Sequence, residues 1–441
     1  MSRPPRPPKV PRPGPSPFMQ GSLERDFAAA DPAARRALVA ALRAEPAWPL
    51  IRPIPGCAGD SGAPPQAEVT FLRCDAEATA VFLFLNRITD ETQPEESEMR
   101  RLGTTDLWTR TVRMPTTWRA SYAFLSHAAA TAPPWRLDPA GGADHRALRA
   151  LLDSGRADPR NPLRMRNRSG GPVSVVELPD APPQPWFRAP PPTRFPRGCP
   201  PSHTLPYRGT PRALWLSVHG VHPRPAPGRC ARGAPPGPLP IVVVLDGDAW
   251  CGRFGLADAV QRAVAAGHLA PLILLGVDAG DTPTRWRDLD ENRADFAAFL
   301  AALLPWVSER IPDAAPRDAV LAGQSLGGRL ALELLAGRLT PSAATPTAPP
   351  RHGFTAAVSL SASLWGVDTV GLLPSPGTRV SLHVGTQEWV LLADHRSLAA
   401  EWAARGIPHH YTEFTGGHDY ACWRSSLIAG LRDLLPPPTR G

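Results

Sequence analysis

The amino-acid sequence predicts an α/β protein: a doubly wound, mostly parallel sheet in the C-terminal half, preceded by a smaller N-terminal β-sandwich domain. Between residues 68 and 125, short β-rich segments follow one another without intervening helices, which is typical of a sandwich. From about residue 205 onward, apolar runs alternate with segments of helical periodicity, which is typical of parallel strands covered by helices. The chain of 441 residues is long enough for two such domains.

The elements of the N-terminal half can be taken in order. Residues 23–43 are alanine-rich with leucine and arginine at helical spacing, and they predict one helix or two short ones. Four strands are predicted next, at residues 68–73, 80–85, 107–112 and 120–125. Residues 134–190 show little periodicity, so we expect a loop-rich end of the first domain there.

Proline-rich segments predict the domain boundaries. The chain contains 57 prolines and 37 glycines, an excess that indicates long irregular segments. We therefore expect a disordered leader at 1–20, the β-sandwich domain at 21–190, a linker at 191–204 and the α/β domain at 205–438.

In the C-terminal half, buried strands and helices are predicted in alternation. The run from Ile241 to Leu245 is continuously apolar, as expected for a strand buried on both faces. Predicted strands are 241–245, 271–277, 318–322, 356–360, 380–384 and 411–414, and predicted helices are 256–268, 295–311, 327–338, 394–405 and 424–435.

The charge of the chain indicates the kind of ligand it binds. The formal net charge is +8, and Lys9 is the only lysine among 48 basic residues, so the basic character comes from arginine. Arginine makes planar, bidentate contacts with anionic oxygens. No nucleic-acid-binding signature accompanies it, so a small anionic ligand is favoured over nucleic acid.

Cysteine spacing and hydropathy indicate in which cellular compartment the protein is expected. The six cysteines are far apart and form no Cys-x-x-Cys pair, so they do not predict a disulfide framework. No segment approaches the roughly 18 consecutive apolar residues of a membrane span. The N-terminus lacks the apolar region of a secretory signal. We therefore expect a cytoplasmic protein without a membrane partner.

The strongest chemical signal is Gly-Gln-Ser-Leu-Gly at residues 323–327, between a predicted buried strand and a predicted helix. A G-x-S-x-G motif in that setting is typical of the nucleophile elbow of an α/β-hydrolase, where small neighbours allow a strained turn that exposes the serine. Ser325 is therefore the candidate nucleophile.

A nucleophilic serine needs a base, and the base needs an orienting acid. In α/β-hydrolases the acid and then the histidine follow the serine along the chain. His418 comes after the last predicted strand and is the candidate base. Glu388 follows strand 380–384 directly and is the candidate acid. Asp394 is the alternative, and a Ser–His dyad without an essential acid is also compatible with the sequence.

The oxyanion hole of such a hydrolase combines the backbone N–H after the nucleophile with one from an earlier loop. Leu326 follows the candidate nucleophile. Gly247 or Asp248, directly after strand 241–245, would supply the second donor, with Gly247 allowing the chain to bend back toward the site.

Further motifs lie in order along both halves of the chain. They are LDGDAW (245–250), DTPTRWRDL (281–289), GTQEW (385–389), GGHDYACWR (416–424), FLFLNRITD (82–90), GTTDLW (103–108) and DPRNPL (158–163). Through the first four, the C-terminal half resembles the enterochelin esterases, hydrolases that open ferric catecholate siderophores, and through the last three the N-terminal half is similar to the first domain of the same family. The resemblance covers most of residues 65–437 and departs from the family in the leader and in inserts at 189–203, 221–240 and 340–352.

The resemblance implies that Ser325 attacks an ester of a cyclic trilactone and that the ferric siderophore is the small-molecule partner. Arg285 matches a family arginine near the site, Arg424 follows the histidine loop, and Trp250 is a candidate for stacking on a catechol ring. Iron would enter as part of the substrate, and no cofactor or protein-bound metal is expected. We also expect the N-terminal domain to close over the site and hold the bulky substrate.

Two alternatives remain open at the level of sequence. One is a carboxylesterase or acyltransferase of the esterase D-like group acting on another ester. The other is a siderophore-binding protein without activity, although a pure binder has no use for a nucleophile elbow.

Overall fold

The computed structural model describes residue 8 and residues 10–55, 64–136, 145–187, 199–220, 237–339 and 353–437. Residues 191–198 of the expected linker, residues 221–236 of the second insert and all of the insert at 340–352 lie outside the described residues. The expectation that these segments are irregular therefore stays a prediction.

The N-terminal part contains two antiparallel sheets. One has the order β1-β6-β3-β2 with β5 beside β6, and the other has the order β4-β7-β9-β8. The elements are β1 (Phe18–Met19), α1 (Ser22–Ala29), α2 (Pro32–Ala44), β2 (Leu50–Pro53), β3 (Gln66–Cys74), β4 (Ala80–Leu85), β5 (Arg100–Arg101), β6 (Leu107–Pro115), β7 (Arg119–His127), α3 (His145–Asp153), β8 (Arg164–Arg166) and β9 (Pro172–Glu177).

These two sheets share one hydrophobic core. Val69 and Phe71 of β3 pack in the same buried cluster as Val81 and Leu83 of β4. Alternate residues of each strand therefore face the opposite sheet, as the strand period of two requires. The four strands predicted in this region are all present, as β3, β4, β6 and β7.

In the N-terminal half the structure decides one open alternative, in favour of two short helices, and differs from the expectation in two other segments. The helical stretch at 23–43 is split in two, because Asp31 caps α2 through hydrogen bonds of 2.8 Å from the N–H groups of Ala33 and Ala34, and Pro32 follows it. The expected disordered leader ends in β1, where Phe18 is buried. Residues 145–177 form α3, β8 and β9 although they lack a strong period, because β9 completes its hydrogen bonds on β7.

The C-terminal part is built on an eight-stranded sheet with the order β10-β11-β13-β12-β14-β15-β16-β17. The last six strands in this order are parallel, while β10 and β11 are antiparallel and were not predicted. The elements are β10 (His203–Tyr207), β11 (Thr210–His219), β12 (Leu239–Leu245), α4 (Leu256–Ala265), β13 (Leu272–Val277), α5 (Thr282–Trp286), α6 (Arg293–Arg310), β14 (Ala314–Gln324), α7 (Leu326–Leu335), β15 (Phe354–Leu360), β16 (Arg379–Gly385), α8 (Leu392–Ala404), β17 (His409–Phe414) and α9 (Tyr420–Leu434).

Both faces of this sheet are covered, which explains the continuous apolar runs. In β12, Ile241 and Val243 belong to the core beneath α6, α7 and α8, whereas Val242 and Val244 belong to the core beneath α4 and α9. The prediction of a mixed α/β protein with several sheets is thus confirmed. Among the described residues, no helix combines the length and the apolar character needed to cross a membrane.

Candidate active site

Ser325 lies in the turn between β14 and α7 with φ 58° and ψ −121°, a conformation that L-residues rarely adopt. Its N–H donates to the carbonyl oxygen of Leu360 at 2.9 Å, which holds the turn against the end of β15. A Cβ at Gly323 would lie 2.6 Å from the carbonyl carbon of Gly327. The close approach of these two glycines explains their spacing around the serine.

Glu388 and His418 form a direct pair at the same edge of the sheet. The Nδ1 atom of His418 lies 2.6 Å from Oε2 of Glu388. The other carboxylate oxygen, Oε1, accepts hydrogen bonds from the hydroxyl of Ser361 at 2.5 Å and from the N–H of Gly385 at 2.9 Å. Glu388 is only 1% exposed, so the carboxylate is held in a fixed orientation behind the imidazole.

The pKa values of this pair are shifted in the direction that general-base chemistry needs. Burial alone would raise the pKa of Glu388, but the neighbouring His418, the Arg87 charge and the hydroxyl of Ser361 bring it below its ordinary value. Burial lowers the pKa of His418, and Glu388 opposes that shift. At neutral pH, Glu388 is therefore ionised and His418 is neutral and able to accept a proton.

Ser325 and His418 line one cavity of about 460 Å³ between the two parts of the chain. The hydroxyl of Ser325 is hydrogen-bonded to that of Ser363 at 3.1 Å rather than to His418. Catalytic hydrogen bonds are often longer or differently directed before substrate binds. The hydroxyl of the candidate nucleophile is thus held by a neighbouring serine.

A buried polar network forms the floor of this cavity. Asp246 has φ 57° and accepts hydrogen bonds from Nε and Nη2 of Arg285 at 2.6 and 2.8 Å. It also accepts one from Gln324, and Arg168 of the N-terminal part reaches it at 2.9 Å. Because Gln324 directly precedes Ser325, these hydrogen bonds help to fix the nucleophile turn.

This network bears on two expected substrate contacts. The guanidinium of Arg285 borders the cavity and forms a bidentate pair with Asp246, and its contact with substrate stays a prediction. Trp250 is corrected: it is 1% exposed and donates to Oε1 of Gln324 at 3.0 Å, so its ring is part of the core and not free to stack on a ligand. The sequence pattern alone did not reveal this burial.

Arg424 is also not a cavity residue. Its guanidinium lies over the rings of Phe187 and Phe254 at 5.2 and 5.3 Å, and burial lowers its pKa to about 10. The alternative acid, Asp394, lies in the first turn of α8, while Glu388 is the carboxylate that contacts His418. Among the described residues, no group of three or more His, Cys, Asp or Glu side chains is arranged to hold a metal ion.

Of the expected oxyanion-hole residues, Leu326 borders the cavity, and the chain after β12 bends at a different residue from the one expected. Leu326 begins α7 directly after the nucleophile and lines the cavity. The positive φ after β12 belongs to Asp246, whereas Gly247 has φ −58°. Gly247 is required for another reason: an added Cβ would lie 2.6 Å from the carbonyl carbon of Gly276. The donor role of Gly247 or Asp248 stays a prediction.

Sequence reasoning did not identify the contacts that the N-terminal part makes with the histidine loop. Nδ2 of Asn86 donates to the backbone oxygen of His418 at 3.1 Å. The N–H of Ser121 donates to Asp419 at 2.5 Å, and the hydroxyl of Thr117 donates to that of Thr415 at 2.8 Å. The two members of each pair are about 300 residues apart along the chain, and no local sequence motif predicts these contacts.

Comparison with known proteins gives consistent matches along the chain. The family model "Enterochelin esterase, N-terminal" matches residues 68–187, and the Esterase family model matches residues 231–434. Iron(III) salmochelin esterase of Escherichia coli O6:H1 is 29% identical, over 87% of this chain and 90% of that protein. Iron(III) enterobactin esterase of Escherichia coli K12 is 28% identical, over 84% and 92%.

Solved structures agree with these matches. Ferric enterobactin esterase from Salmonella typhimurium has a TM-score of 0.67 and 25% identity, over 90% of this chain and 98% of that one. The enterobactin esterase from Shigella flexneri, in the presence of 2,3-di-hydroxy-N-benzoyl-serine, has a TM-score of 0.64 and 25% identity, over 90% and 97%. The likeness therefore extends over both parts of the chain.

Proposed function

This chain belongs to the enterochelin esterase family and is a carboxylic ester hydrolase, and from that premise we propose that it hydrolyses the trilactone esters of ferric catecholate siderophores such as enterobactin. One observation carries the assignment of the site. Ser325, in a strained turn, lines the same cavity as His418, whose Nδ1 lies 2.6 Å from the buried Glu388.

The proposed reaction begins with attack of the Ser325 hydroxyl oxygen on an ester carbonyl carbon. His418 takes the serine proton through Nε2, while Glu388 fixes the imidazole through Nδ1 and stabilises its protonated form. The backbone N–H of Leu326, with that of Gly247 or Asp248, would stabilise the tetrahedral oxyanion. The ester C–O bond then breaks, His418 protonates the departing alkoxide, and an acyl-enzyme remains.

Water completes the reaction. His418 removes a proton from a water molecule that attacks the acyl carbon, and the second tetrahedral intermediate collapses to a free acid and the restored serine hydroxyl. Iron enters as part of the substrate, and the proposed steps require no cofactor. Opening the ring weakens iron chelation, and we propose that this release takes place in the cytoplasm.

The lining of the cavity supports an anionic, aromatic substrate. Arg87, Arg166 and Arg168 contribute positive charge from the N-terminal part, and Arg168 shares the single carboxylate of Asp246 with Arg285. Trp286 and Trp365 border the same space, with ring centroids 6.2 Å apart. These two tryptophans replace Trp250 as the aromatic contacts that we propose for a catechol ring.

We also propose the finer architecture on this basis. The two N-terminal sheets correspond to the β-sandwich domain expected at 21–190, extended to begin at β1 (Phe18–Met19), and the C-terminal sheet corresponds to the α/β-hydrolase domain expected at 205–438, extended to begin at β10 (His203–Tyr207). The shared core of the first two sheets and the strand–turn–helix setting of Ser325 support this division.

The test is mass-resolved HPLC of ferric enterobactin incubated with wild-type protein, with Ser325→Ala and with Ser308→Ala. Ser308 lies on α6 with its hydroxyl bonded to the carbonyl oxygen of Leu304, away from the cavity, and serves as the matched control. Linear trimer, dimer or monomer should appear with the wild type and the control only. Ser325-dependent hydrolysis of an aryl ester without trilactone cleavage would instead indicate another esterase.

A further inference from the structure

The end of the proline-rich leader reaches the cavity. Pro8 and Val10 both line it, although they precede the first domain by sequence. Val10 is 47% exposed, and it lies at the border of the cavity that Ser325 and His418 line. Ligand cavities are lined mainly by apolar side chains, so this position makes the valine available to a bound molecule.

Arg12 anchors this segment to both parts of the protein. Its Nη2 donates to the backbone oxygens of Arg87 and Ile88, at 2.8 and 2.6 Å, and its backbone N–H donates to Oδ2 of Asp90 at 2.8 Å. The same guanidinium lies 4.4 Å from the ring centroid of Trp389 in the C-terminal part.

A second contact joins the leader to the C-terminal part. Nε1 of Trp389 donates to the backbone oxygen of Val10 at 2.9 Å. Trp389 borders the cavity and directly follows Glu388 in the chain. Residues 8 and 10–12, which we term the leader strap, therefore bridge the N-terminal turn at 86–90 and the loop that carries the acid.

From this geometry we propose that the leader strap forms one wall of the siderophore subsite, with Val10 contacting a catechol ring and Arg12 acting as the positioning residue that holds Val10 there. The proposal rests on the proposed function. Arg12 is already occupied by two carbonyl oxygens and an indole face, so it acts through the strap and not by contacting the anion. A three-armed ferric complex is larger than a small ester, so we expect the complex to reach Val10 and the small ester to occupy only the space beside Ser325.

The proposal predicts that changes in the leader strap affect a large siderophore substrate and leave a small ester unaffected. In Arg12→Ala the strap loses its anchor, and KM for ferric enterobactin should rise about tenfold while kcat changes by less than about twofold. Val10→Asp places a negative charge on the exposed wall and should raise that KM by a similar factor without disturbing the core. Neither variant should change kcat or KM for 4-nitrophenyl butyrate.

The matched control is Arg310→Ala. Arg310 also lies over a tryptophan, 4.2 Å from the ring centroid of Trp306, and donates to a backbone oxygen, but it is on α6 away from the cavity. It should leave both substrates unaffected.

Three outcomes would overturn the inference. An unchanged KM for ferric enterobactin in both strap variants would show that the strap does not contact the substrate. Equal losses on both substrates would show that it only supports the fold near Glu388. If the wild type hydrolyses 4-nitrophenyl butyrate but not ferric enterobactin, the proposed function itself fails, and the strap subsite fails with it.

Discussion

The two parts of the chain meet at the candidate site in different ways. The C-terminal part supplies the three side chains proposed for acyl transfer, each from a loop at the carboxyl edge of its sheet: Ser325, Glu388 and His418. The N-terminal part supplies none of them. It reaches the histidine loop through Asn86 and Ser121, contacting a backbone oxygen and a capping carboxylate.

The C-terminal part therefore supplies the reacting groups, and the N-terminal part helps to position one of them. The side-chain amide of Asn86 and the backbone N–H of Ser121 are not proton-transfer groups, but their hydrogen bonds can restrict the position of His418. The sequence predicts an N-terminal domain that closes over the site and holds the bulky substrate. The contacts to the histidine loop indicate in addition that this domain positions the base, so loss of these contacts should lower kcat for small and large substrates alike.

The largest expected effect tests the chemical side of the comparison. His418→Ala removes the proposed base and should lower kcat on the order of 10⁶-fold for both ferric enterobactin and 4-nitrophenyl butyrate. Single-turnover kinetics measure it, with circular dichroism to verify folding. Loss of ferric enterobactin cleavage alone would contradict the assignment, because a general base serves every ester.

Next in size is the identity of the acid. Glu388→Gln removes the charge that stabilises protonated His418, and kcat should fall about 10⁴-fold. Asp394→Asn is the matched control and should retain wild-type activity, since Glu388 is the carboxylate bonded to the imidazole. Full activity in Glu388→Gln would indicate a Ser–His dyad, and loss in Asp394→Asn would reverse the assignment.

A smaller effect is expected from the N-terminal part. Asn86→Ala removes the hydrogen bond to the backbone of His418, and Thr117→Val removes the one to Thr415 outside the cavity. Each should lower kcat about tenfold for both substrates with little change in KM, because the base is less well placed.

Asn292→Ala, at the start of α6, is the control. A rise in KM confined to ferric enterobactin would mean that the N-terminal part only holds substrate.

The smallest expected effect is in the pH profile. The base must be neutral, so kcat/KM falls as pH drops through the pKa of His418. Burial lowers that pKa from its ordinary value of 6.5, and activity should therefore persist below pH 6.5. In Glu388→Gln the opposing charge is gone, and the residual activity should have its acid limb at still lower pH. Stopped-flow rates on 4-nitrophenyl butyrate test this, and an acid limb above that of an ordinary histidine would contradict it.

Much of the fold could be predicted because its signals are local. A strand buried on both faces needs a continuous apolar run, and the run from Ile241 to Leu245 appears as the centre of β12. The elbow is equally local, since its two glycines lie within two residues of Ser325 and contact each other. By contrast, β10 and β11 carry no strong pattern; β10 pairs with β11, and β11 joins the sheet through its hydrogen bonds with β13, which lies farther along the chain.

What the sequence by itself determined is the alternation of strands and helices from β12 onward and the candidates Ser325 and His418, with Glu388 favoured over Asp394 as the acid. Only the tertiary structure decided which side chains face the cavity. It buries Trp250 and pairs Arg285 with Asp246. It also brings Asn86 to His418 across 332 residues of sequence. Periodicity and turn chemistry act over a few residues, whereas burial and such long-range contacts depend on how whole sheets pack, which no short pattern specifies.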